Sequence, residues 1–236
     1  MSEHSDHVEK PHYNRADGDS LSRQLTVQLS SDQYERLFFQ PNAAKGDLAK
    51  RFGNPTLLGV LGFLVPFSVT LFSLLQFQGS SASSITSVSG TYYVFGGIAL
   101  ILAGIGEFIL GNTFPMTVFI IFGCHFVYSG YLADPLHGIE AFYGEGGAGA
   151  LSQAYNSGQG HYNAILTLVA FIFLCGSLRT NVPFVIIFFC LVFLFSFASA
   201  AYYSLGFNPT AAGADHAFYY LKIAGGFGFV AMIMGW

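Results

Sequence analysis

Two ionisable side chains lie inside strongly apolar stretches of the sequence. Glu107 is the one clear acidic residue in such a stretch, and His125 lies midway through the next one. A carboxylate within a membrane is costly, so we expect Glu107 to face a bundle interior or a water-filled space; the alternative is an interfacial charge capped by Asn112 or Thr113. His125 can carry a proton near neutral pH, or can be a hydrogen-bonded core residue. Both are candidates for an orienting or proton-linked role.

A third candidate is the segment Asn54-Pro55-Thr56, which stands directly before a long apolar run. Proline has no backbone N–H and favours the first turn of a helix, beyond which the amide groups are free. Such a helix N-terminus attracts carboxylates. We therefore expect Asn54, Pro55 and Thr56 to form a cytoplasmic vestibule. Glu107 would accept hydrogen bonds from the Asn54 region or from Asn112-Thr113.

The other chemistry-bearing residues do not form a catalytic or metal site. The sequence has no Walker-type phosphate loop, no H-E-x-x-H and no G-x-S-x-G pattern, so we predict that the protein is not an enzyme. The stretch Gly144–Gly149 fits a flexible external loop. His4, His7 and His12 have no cysteine near them, and we predict neither a metal nor a cofactor. The net charge of -4 gives no sign of a nucleic-acid partner.

The elements that must position the candidate residues are six apolar segments. Hydrophobic residues make up 53% of the chain and charged residues only 9%, whereas a soluble domain has about 25% charged residues. Each segment approaches the roughly 20 residues that a helix needs to cross the lipid bilayer. Turn-forming residues separate the segments, which predicts antiparallel neighbours. The predicted spans are residues 57–76, 92–110, 115–132, 162–178, 183–204 and 217–236.

The predicted fold is thus an all-α integral membrane protein, with a six-helix transmembrane domain over residues 52–236. Residues 1–51 form a separate polar N-terminal tail. Within this tail, residues 32–40 fit a short amphipathic helix that begins with the capping pair Asp32 and Glu35. Such a helix would lie on the membrane surface or pack under the bundle.

Basic and acidic residues fall at opposite ends of the predicted bundle. Lys45, Lys50 and Arg51 precede the first helix, and Arg179 lies between the fourth and fifth. The acidic residues of the third and fifth links lie at the other end, namely Asp134, Glu140, Glu145 and Asp215. The positive-inside rule then places both termini in the cytoplasm, and we predict a multi-pass protein of the plasma membrane. Lys222, one turn or so inside the last helix, is expected to snorkel to the outer interface.

Small residues recur on the second and sixth predicted helices. Small side chains let helices approach closely, which fits tight packing within a bundle or between subunits. We expect these faces to support a symmetric oligomer. The residues concerned are Gly96, Gly97, Ala103, Gly104 and Gly106 on the second helix, and Gly225, Gly226 and Gly228 on the sixth.

Several spaced motifs together resemble one family of membrane proteins. The junction Asn54–Phe63 is similar to the N-P-x-P-L-G-L segment of the acetate uptake transporters, the microbial acetate and succinate permeases. Tyr93–Gly97 followed by Ala103–Glu107 resembles the Y-G-G…A-G-x-x-E helix of that family, and Gly111–Phe114 its G-N-T-F link. Gly176–Arg179 is similar to its fourth link. The motifs keep their order over about residues 52–236, and the chain resembles a divergent, fungal-type member.

The resemblance implies a channel-like six-helix bundle with cytoplasmic termini, assembled as a hexamer in which each subunit has its own pore. It also implies transport of acetate, related small monocarboxylates or succinate, with a proton or by a channel-like path. The partners would be the lipid bilayer, the small carboxylate, protons and further copies of the chain. The narrow apolar gate of the family, a Phe-Tyr-Leu triad, aligns with Phe63, Phe122 and Leu191.

The sequence departs from the family pattern along the expected path. Leu57 replaces a proline, Phe122 the gate tyrosine, Leu100 a frequent glutamine and His125 an aromatic residue; Pro66 and Phe67 replace a threonine pair. An anion crossing a membrane needs hydrogen-bond donors in place of water. These losses leave two alternatives to carboxylate transport open. One is a non-conducting sensor, regulator or assembly subunit with the transporter fold, and the other is an ammonium or neutral-solute channel.

Overall fold

The computed structural model describes residues 53–144 and 149–236. The predicted tail of residues 1–51, with its amphipathic helix at 32–40, lies outside the described residues, as does most of the Gly144–Gly149 stretch. The basic residues that precede the first helix in the sequence belong to the same undescribed segment. The ranges that the structure describes contain all the predicted spans and all the candidate site residues.

Within residues 53–144 and 149–236, six helices are long and apolar enough to cross a membrane, which confirms the predicted all-α, six-helix architecture. Short helical segments lie between the first two of these helices, at Phe77–Gly79 and Ser84–Ser87, and between the third and fourth, at Pro135–His137, Ile139–Phe142 and Gly149–Leu151. The long helices are α1 (Thr56–Leu74), α2 (Ser89–Ile109), α3 (Thr113–Ala133), α4 (Gln153–Ser177), α5 (Val182–Phe207) and α6 (Ala211–Gly235).

Two helices begin six or more residues earlier than the hydropathy pattern predicts, whereas the other four begin within three residues of it. Helix α4 starts at Gln153 instead of 162, because Ser152 caps it by accepting a hydrogen bond from the Tyr155 amide at 3.4 Å. Its polar first turns are covered, with Asn156 only 1% exposed. Helix α6 starts at Ala211 instead of 217, where the Thr210 hydroxyl accepts from the Gly213 amide at 3.3 Å. Capping extends both helices beyond their apolar runs, and in α4 the burial of Asn156 contributes as well.

The earlier start of α6 also changes the position of Lys222. This residue follows Ala211 by eleven positions and therefore lies about three turns into the helix, not one. Its side chain is exposed in the single chain. The prediction that Lys222 lies close to the helix start is wrong, because the start was taken from hydropathy alone.

Helix α2 contains a π-helical stretch over Tyr92–Ala99. π-helical turns are rare and interrupt the regular α-helical register. Gly96 and Gly97 lie within this stretch, and a Cβ at Gly97 would stand 2.6 Å from Val127 Cγ2 on α3. The backbones of α2 and α3 are therefore in close contact just where the helical register changes.

Consecutive helices run antiparallel, as the short links predict. Gly106 of α2 lies against Pro55, and Gly62 of α1 lies against the Leu100 backbone of α2. The helices α1 and α2 therefore run in opposite directions. Contacts of the same kind relate the later pairs, and α5 packs extensively against both α4 and α6. We call the end where α1, α3 and α5 begin the Asn54 end, and the end where α2, α4 and α6 begin the Asp134 end.

The glycines of α2 and α6 pack mainly within the chain. Gly104 lies against Ile120 of α3, and Gly225 against Leu75, just past the C-terminal end of α1. Gly90 of α2 and Gly226 of α6 are exceptions, because no atom would lie within 4 Å of a Cβ built at either position. The small residues therefore serve contacts between helices of one subunit, and they give less support to subunit contacts than the sequence suggested.

Candidate functional site

The three predicted gate residues line one cavity. Phe63 of α1, Phe122 of α3 and Leu191 of α5 belong to the wall of a cavity of about 420 Å³. The lining residues of each helix lie in the half nearer the Asn54 end. On α5 they run from Asn181, at the start of the helix, to Leu191. The other lining residues are Val60, Leu64, Val118, Phe119, Pro183, Phe184, Ile187, Phe188, Met234 and Gly235.

Aromatic rings close the inner end of this cavity. The Phe63 ring packs edge-on against Phe122, with 5.5 Å between ring centroids, and lies 4.8 Å from Phe67 on its own helix. Phe126, the next turn of α3, is 5.7 Å from Phe63. Edge-to-face and tilted contacts at these separations are the favoured aromatic geometries. We call Phe63, Phe67, Phe122 and Phe126 the ring layer.

The cavity is apolar almost throughout. Of the described residues that line it, only Asn181 has a polar side chain, and its Oδ1 accepts a hydrogen bond from the Phe184 amide at 3.0 Å. Leu191 is 1% exposed and Phe122 is 2% exposed. A narrow apolar constriction excludes hydrated ions by dewetting, while a small, partly dehydrated solute can pass. The apolar lining is compatible with the predicted gate of Phe63, Phe122 and Leu191, which stays a prediction.

The residues that distinguish this chain from the family pattern lie around the same region. Pro66 and Leu100 are fully buried, and Phe67 is 6% exposed. Leu100 contacts α1 at Gly62, where the backbones approach closely. These positions contribute packing to the helix interfaces and add no hydrogen-bond donor to the ring layer.

Asn54, Pro55 and Thr56 stand at the start of α1, outside the cavity lining. The Asn54 side chain accepts a hydrogen bond from the Thr56 amide at 3.0 Å, and Pro55 packs against Gly106 of α2. The lining of the cavity on α1 begins one turn later, at Val60. The segment thus lies at the same end of the bundle as the cavity, on the side that faces α2.

Glu107 is fully buried and connects three elements. Its Oε1 accepts a hydrogen bond from the Thr56 hydroxyl at 2.5 Å, and its Oε2 accepts one from the Asn112 amide group at 2.6 Å. Asn112 lies in the turn between α2 and α3, where Gly111 takes a positive φ of 80°. The carboxylate therefore joins the start of α1 to the α2–α3 turn. Among the described residues, Asn112 Oδ1 has no hydrogen-bond partner.

His125 lies on the opposite side of the ring layer from the cavity. Its Nδ1 is 2.9 Å from the Tyr162 hydroxyl of α4, and its ring centroid is 6.5 Å from that of Phe122. Near it, the Tyr128 hydroxyl donates to Gln159 Oε1 at 3.2 Å. The structure therefore separates the two ionisable candidates, with Glu107 at the Asn54 end and His125 beyond the gate residues.

Sequence analysis did not identify the polar residues around His125. Both Tyr162 and Gln159 belong to α4. Gln159 precedes the predicted fourth span, and Tyr162 is the first residue of that span. A second buried hydroxyl pair, Thr70 and Tyr92, lies 2.6 Å apart between α1 and α2. The available signal was a run of polar residues at helical spacing before an apolar segment, which is typical of a helix that begins earlier.

Comparison with known proteins gives consistent results. The model of the GPR1/FUN34/yaaH family matches residues 38–236. The protein alcS of Aspergillus fumigatus is 32% identical over 200 residues, which cover 83% of this chain and 73% of the relative. The acetate transporter protein patA of Penicillium expansum is 24% identical over 224 residues, covering 92% and 86%. The bacterial acetate channel SatP has a similar fold, with a TM-score of 0.55 at 21% identity, covering 78% of this chain and 90% of SatP.

Proposed function

This chain belongs to the GPR1/FUN34/yaaH family, and from that premise we propose that it carries acetate or a similarly small carboxylate across a membrane. The observation that carries the proposal is the convergence of Phe63, Phe122 and Leu191 on one cavity, closed by the ring layer. Supporting it are the acetate transporter patA among its relatives and the fold it shares with an acetate channel. The solute would enter the cavity at the Asn54 end and dehydrate before it passes the three side chains.

Asn54, Pro55 and Thr56 would belong to the entrance region at this end. Their contacts are with α2 and with Glu107, so they would stabilise the packing of α1 against α2 at the entrance. Glu107 would act as an orienting residue and not as a ligand, because a buried carboxylate repels an anionic solute. His125 would act beyond the gate, as an orienting or proton-linked group.

The decisive measurement is uptake of labelled acetate by liposomes that contain the purified protein, with and without a pH gradient. Free small carboxylic acids titrate at roughly pH 4–5, much like a glutamate side chain. Acidic medium should therefore increase uptake, whether the proton travels on the solute or beside it. Uptake no faster than in protein-free liposomes, at every pH, would refute the proposed function.

The density of the ring layer favours one second candidate, a non-conducting membrane protein that keeps the transporter fold. Phe63 contacts Phe67, Phe122 and Phe126 within 5.7 Å, and the described residues of this layer offer no polar side chain. The same liposomes distinguish the candidates. A sensor or assembly subunit would bind acetate, or a partner, without flux. Flux of ammonium or an uncharged solute without acetate would identify the third alternative.

We also propose that the protein is a plasma-membrane protein with both termini in the cytoplasm and that it assembles as a hexamer with one pore in each subunit. The position of Arg179 at the Asn54 end and of Asp134 and Asp215 at the Asp134 end supports this orientation. A stripe of exposed apolar side chains on α2 supports contact with lipid or with a second subunit; it comprises Val94, Ile98, Leu102 and Ile105.

A further inference from the structure

A polar cluster lies one helical turn beyond the gate residues, toward the Asp134 end. His125 follows Phe122 by three positions on α3, and Tyr162 of α4 holds its Nδ1 at 2.9 Å. The Tyr162 ring packs against Tyr128 with 4.1 Å between centroids, and the Tyr128 hydroxyl donates to Gln159. Phe122 itself offers no hydrogen-bond donor, and this cluster supplies polar groups close to it on that side.

The imidazole of His125 is fixed by its neighbours. Phe195 of α5 packs edge-on against it at 5.5 Å and 89°, Phe126 lies at 5.6 Å, and the Tyr162 ring stacks on it at 5.8 Å. The hydrogen bond to Tyr162 uses Nδ1. Within the part of the chain that the structure describes, Nε2 has no hydrogen-bond partner. One ring nitrogen is therefore committed to the protein, and the other is available to a ligand.

We propose that His125, held in place by Tyr162, forms a carboxyl-binding site immediately beyond the gate. This inference rests on the proposed function, and its ligand is a small monocarboxylate or the corresponding free acid. When the Tyr162 hydroxyl donates to Nδ1, the neutral ring carries its proton on Nε2 and donates to a carboxylate oxygen. When Nδ1–H donates to the Tyr162 oxygen, Nε2 accepts from the hydroxyl of the free acid.

The need for such a site follows from the apolar path that precedes it. A solute that reaches the ring layer has lost water and has met one polar lining side chain, Asn181, which already caps α5. A carboxyl group in an apolar channel requires replacement hydrogen bonds. The aromatic rings around His125 give it apolar surroundings, which strengthen any hydrogen bond that Nε2 makes. The site would thus select solutes that have a carboxyl group and not merely a small size.

The test measures initial rates of labelled acetate uptake against acetate concentration in liposomes that contain the full chain. His125→Phe keeps an aromatic ring and removes both nitrogens, and the half-saturating concentration should rise about tenfold or more, as expected for loss of a hydrogen bond to a charged group. Tyr162→Phe keeps the imidazole but removes the hydroxyl that holds it, and a rise of about threefold is expected for a neutral hydrogen bond.

A second histidine–tyrosine pair provides the matched control. His161 Nδ1 lies 2.5 Å from the Tyr203 hydroxyl between α4 and α5, and His161 is exposed, away from the ring layer. His161→Phe and Tyr203→Phe remove the same atoms and should leave the half-saturating concentration unchanged. The melting temperature of each variant without acetate, and its increase with added acetate, distinguish lost binding from lost stability.

The outcomes separate this inference from the proposed function. Wild-type protein without flux would refute the proposed function, and the increase of its melting temperature with acetate would still test the carboxyl site. Wild-type flux with an unchanged half-saturating concentration in both His125→Phe and Tyr162→Phe would refute the carboxyl site alone. A lower melting temperature in the two variants with unchanged half-saturation would show a packing role and would refute the site as well. If His125→Phe does not fold, the Tyr162→Phe result decides.

Discussion

Phe63 and Leu191 line the cavity, and we predict that they set the width of its inner end. Truncation of either side chain to alanine should widen the path, so that larger carboxylic acids compete with labelled acetate for uptake. The same changes should lower the free energy of unfolding by about 3–5 kcal/mol for Phe63→Ala and 2–5 kcal/mol for Leu191→Ala, because buried volume is lost. Competition assays across acids of increasing length would measure the first effect, and thermal unfolding the second.

Phe72→Ala and Leu168→Ala are the matched controls for this prediction. Phe72 and Leu168 match Phe63 and Leu191 in residue type and also lie on long helices, but they are 39% and 58% exposed. They should leave the order of acid competition as it is in the wild type. An unchanged size preference in Phe63→Ala and Leu191→Ala would place the constriction elsewhere.

Glu107 gives the second prediction at this scale. Glu107→Gln keeps one side-chain oxygen as an acceptor and replaces the other with an NH₂ group, which can donate to Asn112 Oδ1 once the Asn112 amide is turned over. The fold should be kept, and the pH dependence of uptake should change because the carboxyl group is gone. Glu107→Ala leaves the hydroxyl of Thr56 and the amide of Asn112 without their acceptor. Each unsatisfied buried donor costs about 1–3 kcal/mol, so the melting temperature should fall. Glu140→Gln, at an exposed position, is the control. Identical pH profiles and melting temperatures throughout would contradict the role of Glu107 as a buried acceptor that joins α1 to the α2–α3 turn.

Glu107 and His125 illustrate which side-chain contacts can be predicted from the sequence. Asn112 follows Glu107 by five positions across a glycine turn, so a short-range hydrogen bond could be anticipated from local geometry. The bond from Thr56 spans 51 positions, and a motif placed both residues at the same end of the bundle without specifying contact. Tyr162 could not be selected as the partner of His125, because the choice among many tyrosines depends on how α4 rotates against α3.

At the scale of helices, hydropathy predicted the number of spans but not where they begin. The six-helix, all-α architecture is confirmed, whereas α4 and α6 begin nine and six residues before the predicted spans, at Gln153 and Ala211. A hydropathy window stops at polar residues, and it cannot register that Asn156 is buried against a neighbouring helix. Caps at Ser152 and Thr210 were the local signals that would have corrected both boundaries.

Helix packing around Gly97 yields a prediction at the same scale. A Cβ there would stand 2.6 Å from Val127 Cγ2, so Gly97→Leu should prevent folding or lower the melting temperature sharply. Gly97→Ala should be milder, and Val127→Ala in the same chain should restore part of the loss by making room. Gly226→Ala and Gly226→Leu are the controls, since a Cβ there would meet no atom within 4 Å. Equal melting temperatures at both glycines would contradict the described α2–α3 contact.

At the scale of the whole molecule, the resemblance inferred from spaced motifs is confirmed by the family match over residues 38–236. Motifs that lie at helix ends and glycine contacts report on how helices meet, which is why they identified the fold. The substrate is not specified in this way, because it depends on donors within a few ångströms of the path. Replacement of a few such side chains leaves the packing intact and alters the chemistry.

The assembly can be tested directly. A hexamer should give a mass of six subunits, after subtraction of detergent or lipid, in both mild detergent and lipid nanodiscs. Gly96, Gly97, Gly104 and Gly106 of α2 pack against other helices of the same subunit, so a subunit contact would use the exposed stripe that includes Ile98 and Leu102. Charged substitutions such as Leu102→Glu should then dissociate the oligomer, whereas Gly226→Ala should not. A monomeric mass in both environments would rule out the hexamer.

The orientation in the membrane is the remaining prediction for the whole molecule. Arg179, in the turn between α4 and α5, is the basic residue at the Asn54 end of the described structure, while Asp134, Glu140 and Asp215 lie toward the other end. Basic residues are retained on the cytoplasmic side, so the segment between α3 and α4 should face outward. A protease site inserted after Glu140 should be cut when protease is added to intact cells, and the same site inserted after Arg179 should be cut only after permeabilisation. Protection of the first site with cleavage of the second would invert the topology and would place the cavity mouth outside the cell.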